Sequence, residues 1–304
     1  MKLVTYTHAG TAAYGVILDD GRILDLARAA GPVRARSLGD DMLAFIAHGA
    51  EALALARALA HEAQAGGHRD ATLAPAAVKL LAPIPRPTKN VLCVGRNYFD
   101  HIAESDRVRG ADTKIPEFPQ FFTKPPTAVI GPDEVFVRDP VVSSRIDYEV
   151  ELGVVIGPGG RDIPAERAYD HVFGYTIVND VTARDLQRRH EQWFKGKGLD
   201  RSCPMGPCIV TREEIGDPAG LELTCTVNGE QRQHARAAQM IFDIPKLIHV
   251  LSAGMTLEPG DVLSTGTPAG VGFAMNPPRF LQPGDEVVCK ISRIGTLTTR
   301  IGGA

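Results

Sequence analysis

Three carboxylates stand in segments of the chain that are otherwise strongly apolar. Glu149 and Glu151 lie in residues 148–156, a run rich in Val, Ile and Leu that ends at a Gly-Pro-Gly-Gly turn, and Asp180 follows 29 residues after Glu151. The run is typical of a buried strand closed by a turn. Because strand side chains alternate between faces, we expect Glu149 and Glu151 to share one face.

Two acids side by side in a protein core need a compensating charge. Burial penalises each carboxylate, and mutual repulsion adds to that penalty. A Mg²⁺ or Mn²⁺ ion removes both penalties with oxygen ligands alone, so Glu149, Glu151 and Asp180 form a candidate metal site. The alternative is an exposed strand whose two acids point into water.

Composition restricts the class of protein. The chain has 304 residues, a formal net charge of −3, 44% hydrophobic residues and 23% charged residues. These values argue against disorder and provide no basic field for nucleic acid, so a small-molecule partner is favoured. The length suits one large domain with a small companion, or two domains.

The sequence carries no pattern for export or membrane insertion. Residues 1–7 lack the charged and apolar regions of a signal peptide, and no apolar run approaches the roughly 18 residues of a membrane span. The five cysteines are odd in number and scattered, which fits reduced thiols. We therefore expect a cytoplasmic protein that does not act at a membrane.

The pattern changes near residue 80. Residues 1–78 are predicted to form a small N-terminal α/β domain, with strands at 2–6, 14–18 and 22–25 and a helix from 40 to about 63. Residues 79–88 contain Pro83-Ile84-Pro85-Arg86-Pro87 and are predicted to be a stiff linker, because each proline removes a donor and restricts its predecessor. A second domain then spans residues 89–304.

The second domain is predicted to be rich in strands, which makes the whole chain an α+β protein. Turn residues recur at Asn228-Gly229, Pro259-Gly260-Asp261 and Pro283-Gly284-Asp285. Regular alternation of strands and helices is missing, which disfavours a Rossmann fold or a TIM barrel. Strands are predicted at residues 91–94, 135–137, 148–156, 173–179, 221–227, 262–264, 286–291 and 297–301, and helices at 183–193 and 240–252.

His101 and Glu104 are candidates for acid–base chemistry. Their spacing of three places them on one helix face, where the carboxylate would orient the imidazole and stabilise its protonated form. The alternative is an ordinary exposed pair.

Three further positions are candidates for substrate contact. Lys197 lies between glycines that allow close approach of a ligand, and Lys124 lies between an aromatic pair and Pro125-Pro126, where it is either a site residue or a solvated strand end. Thr267 belongs to a glycine-rich loop whose N–H groups suit an anion but which lacks the P-loop pattern.

Six motifs, taken in order, resemble the fumarylacetoacetate hydrolase superfamily. They are G-R-N-Y-x-x-H-x-x-E, F-F-x-K-P, D-Y-E-x-E, N-D-V-T-A-R-D-x-Q, G-K-x-x-D and G-T-P-x-G-V-G. The resemblance covers roughly residues 89–302, and the preceding region is similar to the small N-terminal domain of many bacterial members. It implies a mixed β-roll catalytic domain, a Mg²⁺ or Mn²⁺ site, a homodimer, and chemistry on 2-oxo acids and β-diketones.

The resemblance also implies roles for individual residues. The implied metal ligands are Glu149, Glu151 and Asp180; the implied catalytic residues are the His101–Glu104 dyad and Lys197; and the implied substrate-binding residues are Arg96, Lys124, Gln187 and Thr267.

Two departures from the family pattern concern the pocket. Gly198-Leu199 stands where the family often has Ser-Phe after the lysine. The basic stretch of residues 105–120 lies where the family has a mobile lid, and we expect it to influence substrate choice.

The motifs imply a shared enolate chemistry but do not separate the reactions that use it. The main prediction is a metal-dependent hydrolase that cleaves a C–C bond in an acylpyruvate, with His101 and Glu104 activating water and Lys197 stabilising the enolate. The alternatives are decarboxylation of oxaloacetate, tautomerisation of a related 2-oxo diacid and isomerisation of a 2-hydroxydienoate, with sugar-acid hydrolysis or dehydration as further possibilities. A protein of another class, a non-catalytic scaffold stabilised by metal, is the remaining alternative.

Overall fold

Apolar runs broken by turn residues form nineteen strands and seven α-helices in the computed structural model, which describes residues 1–304. The strands are β1 Lys2–His8, β2 Thr11–Ile17, β3 Ile23–Asp25, β4 Thr72–Leu73, β5 Lys79–Leu80, β6 Val91–Gly95, β7 Gln120–Lys124, β8 Val129–Ile130, β9 Val135–Arg138, β10 Ile146–Asp147, β11 Val150–Ile156, β12 Val172–Asn179, β13 Thr182–Ala183, β14 Cys203–Thr211, β15 Glu222–Val227, β16 Glu230–Arg236, β17 Val262–Ser264, β18 Glu286–Ile291 and β19 Gly295–Gly303. The helices are α1 Leu26–Arg34, α2 Met42–Gln64, α3 Phe99–Arg109, α4 Arg184–Arg189, α5 Phe194–Lys197, α6 Arg212–Ile215 and α7 Ile244–Ser252.

A twelve-stranded mixed sheet carries the centre of the molecule. Its main path runs β4-β3-β2-β1-β14-β12-β11-β17-β6-β7, with β5 beside β1 and β8 beside β14. Every residue of β11 and β12 is buried, which explains their nearly continuous apolar sequences. These two strands are antiparallel, with Val150 opposite Asn179, so the start of β11 lies beside the end of β12.

A second sheet of five strands, in the order β16-β15-β18-β19-β9, packs in the same core cluster as β11 and β12. The Asn228-Gly229 turn joins β15 to β16 as a hairpin, and each predicted Pro-Gly-Asp turn directly precedes a strand, β17 or β18. The prediction of a strand-rich mixed fold is confirmed.

The N-terminal residues extend the main sheet. Leu3 of β1 pairs with Ile209 of β14, and the Phe45 ring lies edge-on to Phe173 with the two ring centroids 6.2 Å apart. The segment predicted to be a linker contains β5 and the fully buried Ile84, so it is packed against the protein. The main sheet and its core continue across the predicted boundaries. The division into residues 1–78, 79–88 and 89–304 stays a prediction.

Helix α2 confirms the predicted N-terminal helix and begins where the Asp41 side chain accepts a 2.8 Å hydrogen bond from the Ala44 N–H. It kinks at Gly49, whose φ of 60° and ψ of −128° are non-helical. Its length and apolar composition would allow it to cross a membrane, but Phe45 and Leu59 are fully buried in the protein core. Part of the apolar surface of α2 is therefore covered by the protein core.

One predicted helix is divided in the structure, and one central strand was not predicted. The helix predicted over residues 183–193 is divided, because α4 ends at Arg189 and Glu191 adopts a positive φ of 55°. Strand β14 lies between β1 and β12 but was not predicted, because Pro204, Gly206 and Pro207 are residues that normally argue against a central strand.

Candidate active site

The three predicted metal ligands come together at one end of the β11–β12 pair. Glu149 directly precedes β11, Glu151 lies within it, and Asp180 directly follows β12. The Asp180 N–H donates a 2.8 Å hydrogen bond to the Glu149 carbonyl, which ties the two strand ends together. All three side chains are buried, and one oxygen from each lies within 4.8 Å of the others. The strand predicted from residue 148 begins at Val150, so Glu149 stands just outside it.

Three cationic side chains surround these acids. Lys197 Nζ lies 2.6 Å from both Glu149 Oε2 and Asp180 Oδ2. Lys124 Nζ lies 2.6 Å from Asp180 Oδ1, and Arg184 Nη2 lies 2.7 Å from Glu149 Oε1. Glu149 and Asp180 are therefore each held by two positive charges.

Glu151 has no cationic partner. Its Oε2 accepts hydrogen bonds from the Ser264 hydroxyl at 2.6 Å and the Gly266 N–H at 2.9 Å. Burial, followed by the charges of Asp180 and Glu149, raises the pKa of Glu151 to about 8.

The pKa values of Glu149 and Lys197 shift in the directions that favour their charged forms. Burial opposes the charge on Glu149, but Lys197 and Arg184 outweigh it and lower the pKa of this carboxyl. Burial likewise opposes the charge on Lys197, but Asp180 and Glu149 outweigh it and raise the pKa of the ammonium group.

The donor set fits a hard divalent cation. It consists of carboxylate oxygens only, which suit Mg²⁺ or Mn²⁺. Lys197, Lys124 and Arg184 pair with Glu149 and Asp180, and a cation beside the three acids would give Glu151 the positive partner that it lacks.

The His101–Glu104 pair forms on helix α3, as its spacing predicted. His101 Nδ1 lies 2.9 Å from Glu104 Oε1, and Glu104 Oε2 accepts a 2.9 Å hydrogen bond from the Gly270 N–H. His101 Nε2 has no protein partner within hydrogen-bonding distance and the residue lines a cavity. This arrangement leaves one imidazole nitrogen for a ligand while the other is held by the carboxylate.

A cavity joins His101 of the dyad to Glu149 and Glu151. Five of the predicted catalytic or substrate-binding residues line it, together with two of the metal ligands: Arg96, His101, Gln187, Lys197 and Thr267, with Glu149 and Glu151.

Two of the predicted substrate-binding residues are engaged with the protein. Arg96 makes two hydrogen bonds to Asp106, at 2.8 and 2.9 Å. The Thr267 hydroxyl donates to the Val150 carbonyl at 3.0 Å and accepts from the Gln233 amide at 2.8 Å. Both side chains line the cavity, and their polar groups form hydrogen bonds to neighbouring parts of the protein.

Lys124 was predicted to bind substrate, and that role stays a prediction. The residue is fully buried, does not line the cavity and donates to Asp180 and to the carbonyls of Val181 and Lys197. These contacts position Asp180 at the candidate metal site.

Sequence reasoning missed Arg184 as a site residue. Its guanidinium group pairs with Asp147 at 2.9 Å and with Glu149, and its central carbon lies 4.4 Å from the centre of the Phe273 ring. The only signal was position, because Arg184 stands in the same motif as Asp180 and Asp147 stands in the same motif as Glu149.

Trp193 forms another unpredicted wall of the cavity. Its ring packs edge-on against Phe122, with the ring centroids 5.5 Å apart, and it covers Gly95 so closely that a Cβ atom there would overlap the indole.

Gly198-Leu199, where the sequence departs from the family pattern, is not part of the cavity wall. Neither residue lines the cavity, and Leu199 packs against the main core.

The chain matches the sequence family described as "Fumarylacetoacetate (FAA) hydrolase C-terminal" over residues 90–302. It is 46% identical to "Oxaloacetate tautomerase YisK" of Bacillus subtilis (strain 168) over 305 residues, which cover 99% of this chain and 100% of that protein.

Two solved structures are similar over the whole chain. "Fumarylacetoacetate hydrolase (EaFAH)" from Exiguobacterium antarcticum is 40% identical with a TM-score of 0.81, and each chain is covered completely. "2-hydroxyhepta-2,4-diene-1,7-dioate isomerase" from Mycobacterium marinum is 33% identical with a TM-score of 0.73, and 100% of this chain and 98% of that chain are covered.

Proposed function

Because the chain belongs to the fumarylacetoacetate hydrolase family, we propose that it catalyses keto–enol tautomerisation of oxaloacetate or a closely related 2-oxo diacid. The observation that carries this proposal is the His101–Glu104 pair, whose imidazole lines the same cavity as Lys197, Glu149 and Glu151. The 46% identity to an oxaloacetate tautomerase over the whole chain supports it. The tautomerase alternative is thus better supported than the main prediction of C–C hydrolysis.

Tautomerisation requires a base beside the carbon next to the oxo group. In the keto-to-enol direction, His101 takes a proton from that carbon through Nε2, and Glu104 stabilises the resulting imidazolium through Nδ1. The electrons of the broken C–H bond form the C=C bond, and the oxo oxygen takes up a proton from solvent. In the reverse direction His101 returns the proton to carbon.

Charge that develops on the oxo oxygen needs fixed positive groups nearby. Lys197 supplies one, because its ammonium group is buried, lines the cavity and is held in place by Glu149 and Asp180. Glu149, Glu151 and Asp180 would hold a divalent cation, which when bound acts as a Lewis acid toward a 2-oxo acid.

The test is the rate at which enol oxaloacetate converts to the keto form, followed by the ultraviolet absorbance of the enol with Mg²⁺, with Mn²⁺ and with EDTA. We expect metal-dependent acceleration that is lost in Glu151→Gln. Pyruvate release, measured on the same samples, reports decarboxylation separately. No acceleration of tautomerisation by the metal-loaded protein would overturn the proposal.

Hydrolysis of an acylpyruvate is the second candidate, favoured by the structural similarity to the Exiguobacterium hydrolase. It requires the His101–Glu104 pair to activate water in place of a substrate carbon. Metal-dependent cleavage of acetylpyruvate or fumarylpyruvate, without acceleration of oxaloacetate tautomerisation, would favour this candidate.

We also propose that the chain is a cytoplasmic homodimer. Val135 and Val137 are exposed on β9, an edge strand of the five-stranded sheet, and Val141 is exposed in the segment that follows. This apolar edge is suited to pairing with a second copy. Light scattering of the purified protein tests the dimer.

A further inference from the structure

A larger outer cavity adjoins the inner cavity that His101, Glu149 and Glu151 line. The two share the side chains of Arg109, Arg184, Gln187, Trp193 and Phe273. The two cavities are therefore continuous, and a ligand in the inner cavity can extend into the outer one.

The outer cavity carries positive charge that the protein does not neutralise. Arg109, Arg145 and Arg188 line it, and none of their guanidinium groups forms an ion pair or a hydrogen bond with the protein. Glu191 is the one carboxylate on the wall. Three free arginines in one cavity of a chain whose formal net charge is −3 indicate a site for an anion.

Helix α3 connects this charge to the dyad. His101, Ser105 and Arg109 are spaced by four residues, so they share one helix face, and all three line the inner cavity. With a rise of about 1.5 Å per residue, Arg109 lies roughly 12 Å along the helix from His101, which its long side chain partly spans. The base and the guanidinium group are thus fixed to one rigid element.

Arg109 lacks a counter-ion although a carboxylate stands on the same helix. Asp106 is occupied by the two hydrogen bonds from Arg96. Arg109 is an exposed residue, but partial burial of its guanidinium group, followed by the positive charge of Arg96, lowers its pKa, and Arg184 and Arg188 act in the same direction. An incoming carboxylate would relieve this accumulation of like charge.

We propose that Arg109 binds the second carboxylate of a dicarboxylic 2-oxo acid, and that Arg188 and Arg145 continue this anion subsite outward. The inference rests on the proposed function, because it assumes that the first carboxylate and the oxo group lie at the acid cluster. The forked donors of arginine match a carboxylate in a two-point contact. This subsite makes the cavity select dicarboxylic over monocarboxylic 2-oxo acids.

The test compares two ligands that differ only in the second carboxylate, oxaloacetate and 2-oxobutanoate. Binding to the metal-loaded protein is followed by the fluorescence of Trp193, which is the single tryptophan of the chain and lines both cavities. We expect Arg109→Ala to weaken oxaloacetate binding about tenfold or more while 2-oxobutanoate binding changes less than about twofold. Arg188→Ala should weaken oxaloacetate binding by a smaller factor.

Matched controls exist on the same elements. Arg107 on α3 and Arg189 on α4 are exposed, as Arg109 and Arg188 are, but line neither cavity. Arg107→Ala and Arg189→Ala should therefore leave both affinities unchanged. Equal weakening of the two ligands by Arg109→Ala, or no weakening of either, would overturn the subsite. If Arg109→Ala does not fold, Arg109→Gln and Arg188→Ala give the same comparison.

The two proposals fail in different ways. The wild-type protein could bind oxaloacetate more tightly than 2-oxobutanoate, with a preference that depends on Arg109, and yet not accelerate tautomerisation. That result would contradict the proposed function and support the subsite. A tautomerase whose affinities are indifferent to Arg109 contradicts the subsite alone.

Discussion

Lys124 donates a 2.6 Å hydrogen bond to Asp180, and both side chains are fully buried. The two residues are 56 positions apart, and Lys124 is the last residue of β7 while Asp180 directly follows β12. The lysine thereby fixes one oxygen of a candidate metal ligand while the other oxygen faces Lys197.

Removing Lys124 should destabilise the protein. We expect Lys124→Met to lower the free energy of unfolding by about 3–5 kcal/mol, because it leaves the buried Asp180 without one of its positive partners. Urea denaturation measures the change. Lys246→Met, at an exposed position on α7, is the control and should change stability by less than about 0.5 kcal/mol. A Lys124→Met variant as stable as the control would contradict this positioning role.

Metal binding should depend on pH through Glu151. Its pKa rises from 4.5 to about 8 in the folded protein, so the protonated form is favoured there. The contribution of this group to stability is complete below about pH 4.5 and is lost as pH rises to about 8 in the absence of metal. A cation needs the ionised carboxylate, so the stabilisation by Mg²⁺ or Mn²⁺ should increase over the same pH range.

Thermal unfolding at pH 6 and pH 8.5, with and without metal, measures this effect. At a metal concentration of about 100 times Kd the gain is roughly 2.7 kcal/mol, or several degrees in Tm. Glu151→Gln should abolish the pH dependence of the gain, whereas Glu222→Gln at an exposed position should preserve it. A wild-type gain that is larger at pH 6 would show that Glu151 does not control binding.

Substitution of His101 should remove the base but keep the fold. We expect His101→Asn to reduce kcat for tautomerisation by about 100-fold or more, and Glu104→Gln to have a smaller effect, because glutamine retains an acceptor for Nδ1. Stopped-flow measurement of enol decay gives the rates. His234→Asn, at an exposed position on β16, is the control. Wild-type turnover in His101→Asn would assign the proton transfer to another group.

Gly95 should be required for the position of Trp193. We expect Gly95→Ala to displace the indole, because the added methyl group overlaps it, and to shift the tryptophan emission while raising KM. Gly220→Ala, where no heavy atom lies within 4 Å of an added Cβ and φ is not in the positive range, is the matched control. Unchanged emission in Gly95→Ala would mean that the indole and its surroundings accommodate the methyl group.

Several elements were predictable because their signals are local. Strands β17 and β18 were predicted with their observed bounds, since Pro-Gly-Asp turns mark where they begin. The His101–Glu104 contact follows from a spacing of three on one helix. Strand β14 was missed because its prolines and glycine contradict the local rule, and its place in the sheet is decided by β1 and β12 on either side.

The sequence by itself determined the set of donors, because Glu149, Glu151 and Asp180 stand in or beside apolar strands, where a buried carboxylate needs a compensating positive charge. Only the tertiary structure decided which cations surround Glu149 and Asp180: Lys197, Lys124 and Arg184 come from separate elements. Periodicity shows which face of a strand or helix is buried but not which distant charge meets it. That pairing depends on the packing of α5, β7 and α4 around the β11–β12 ends, since a buried charge is stable only where the fold brings it a partner.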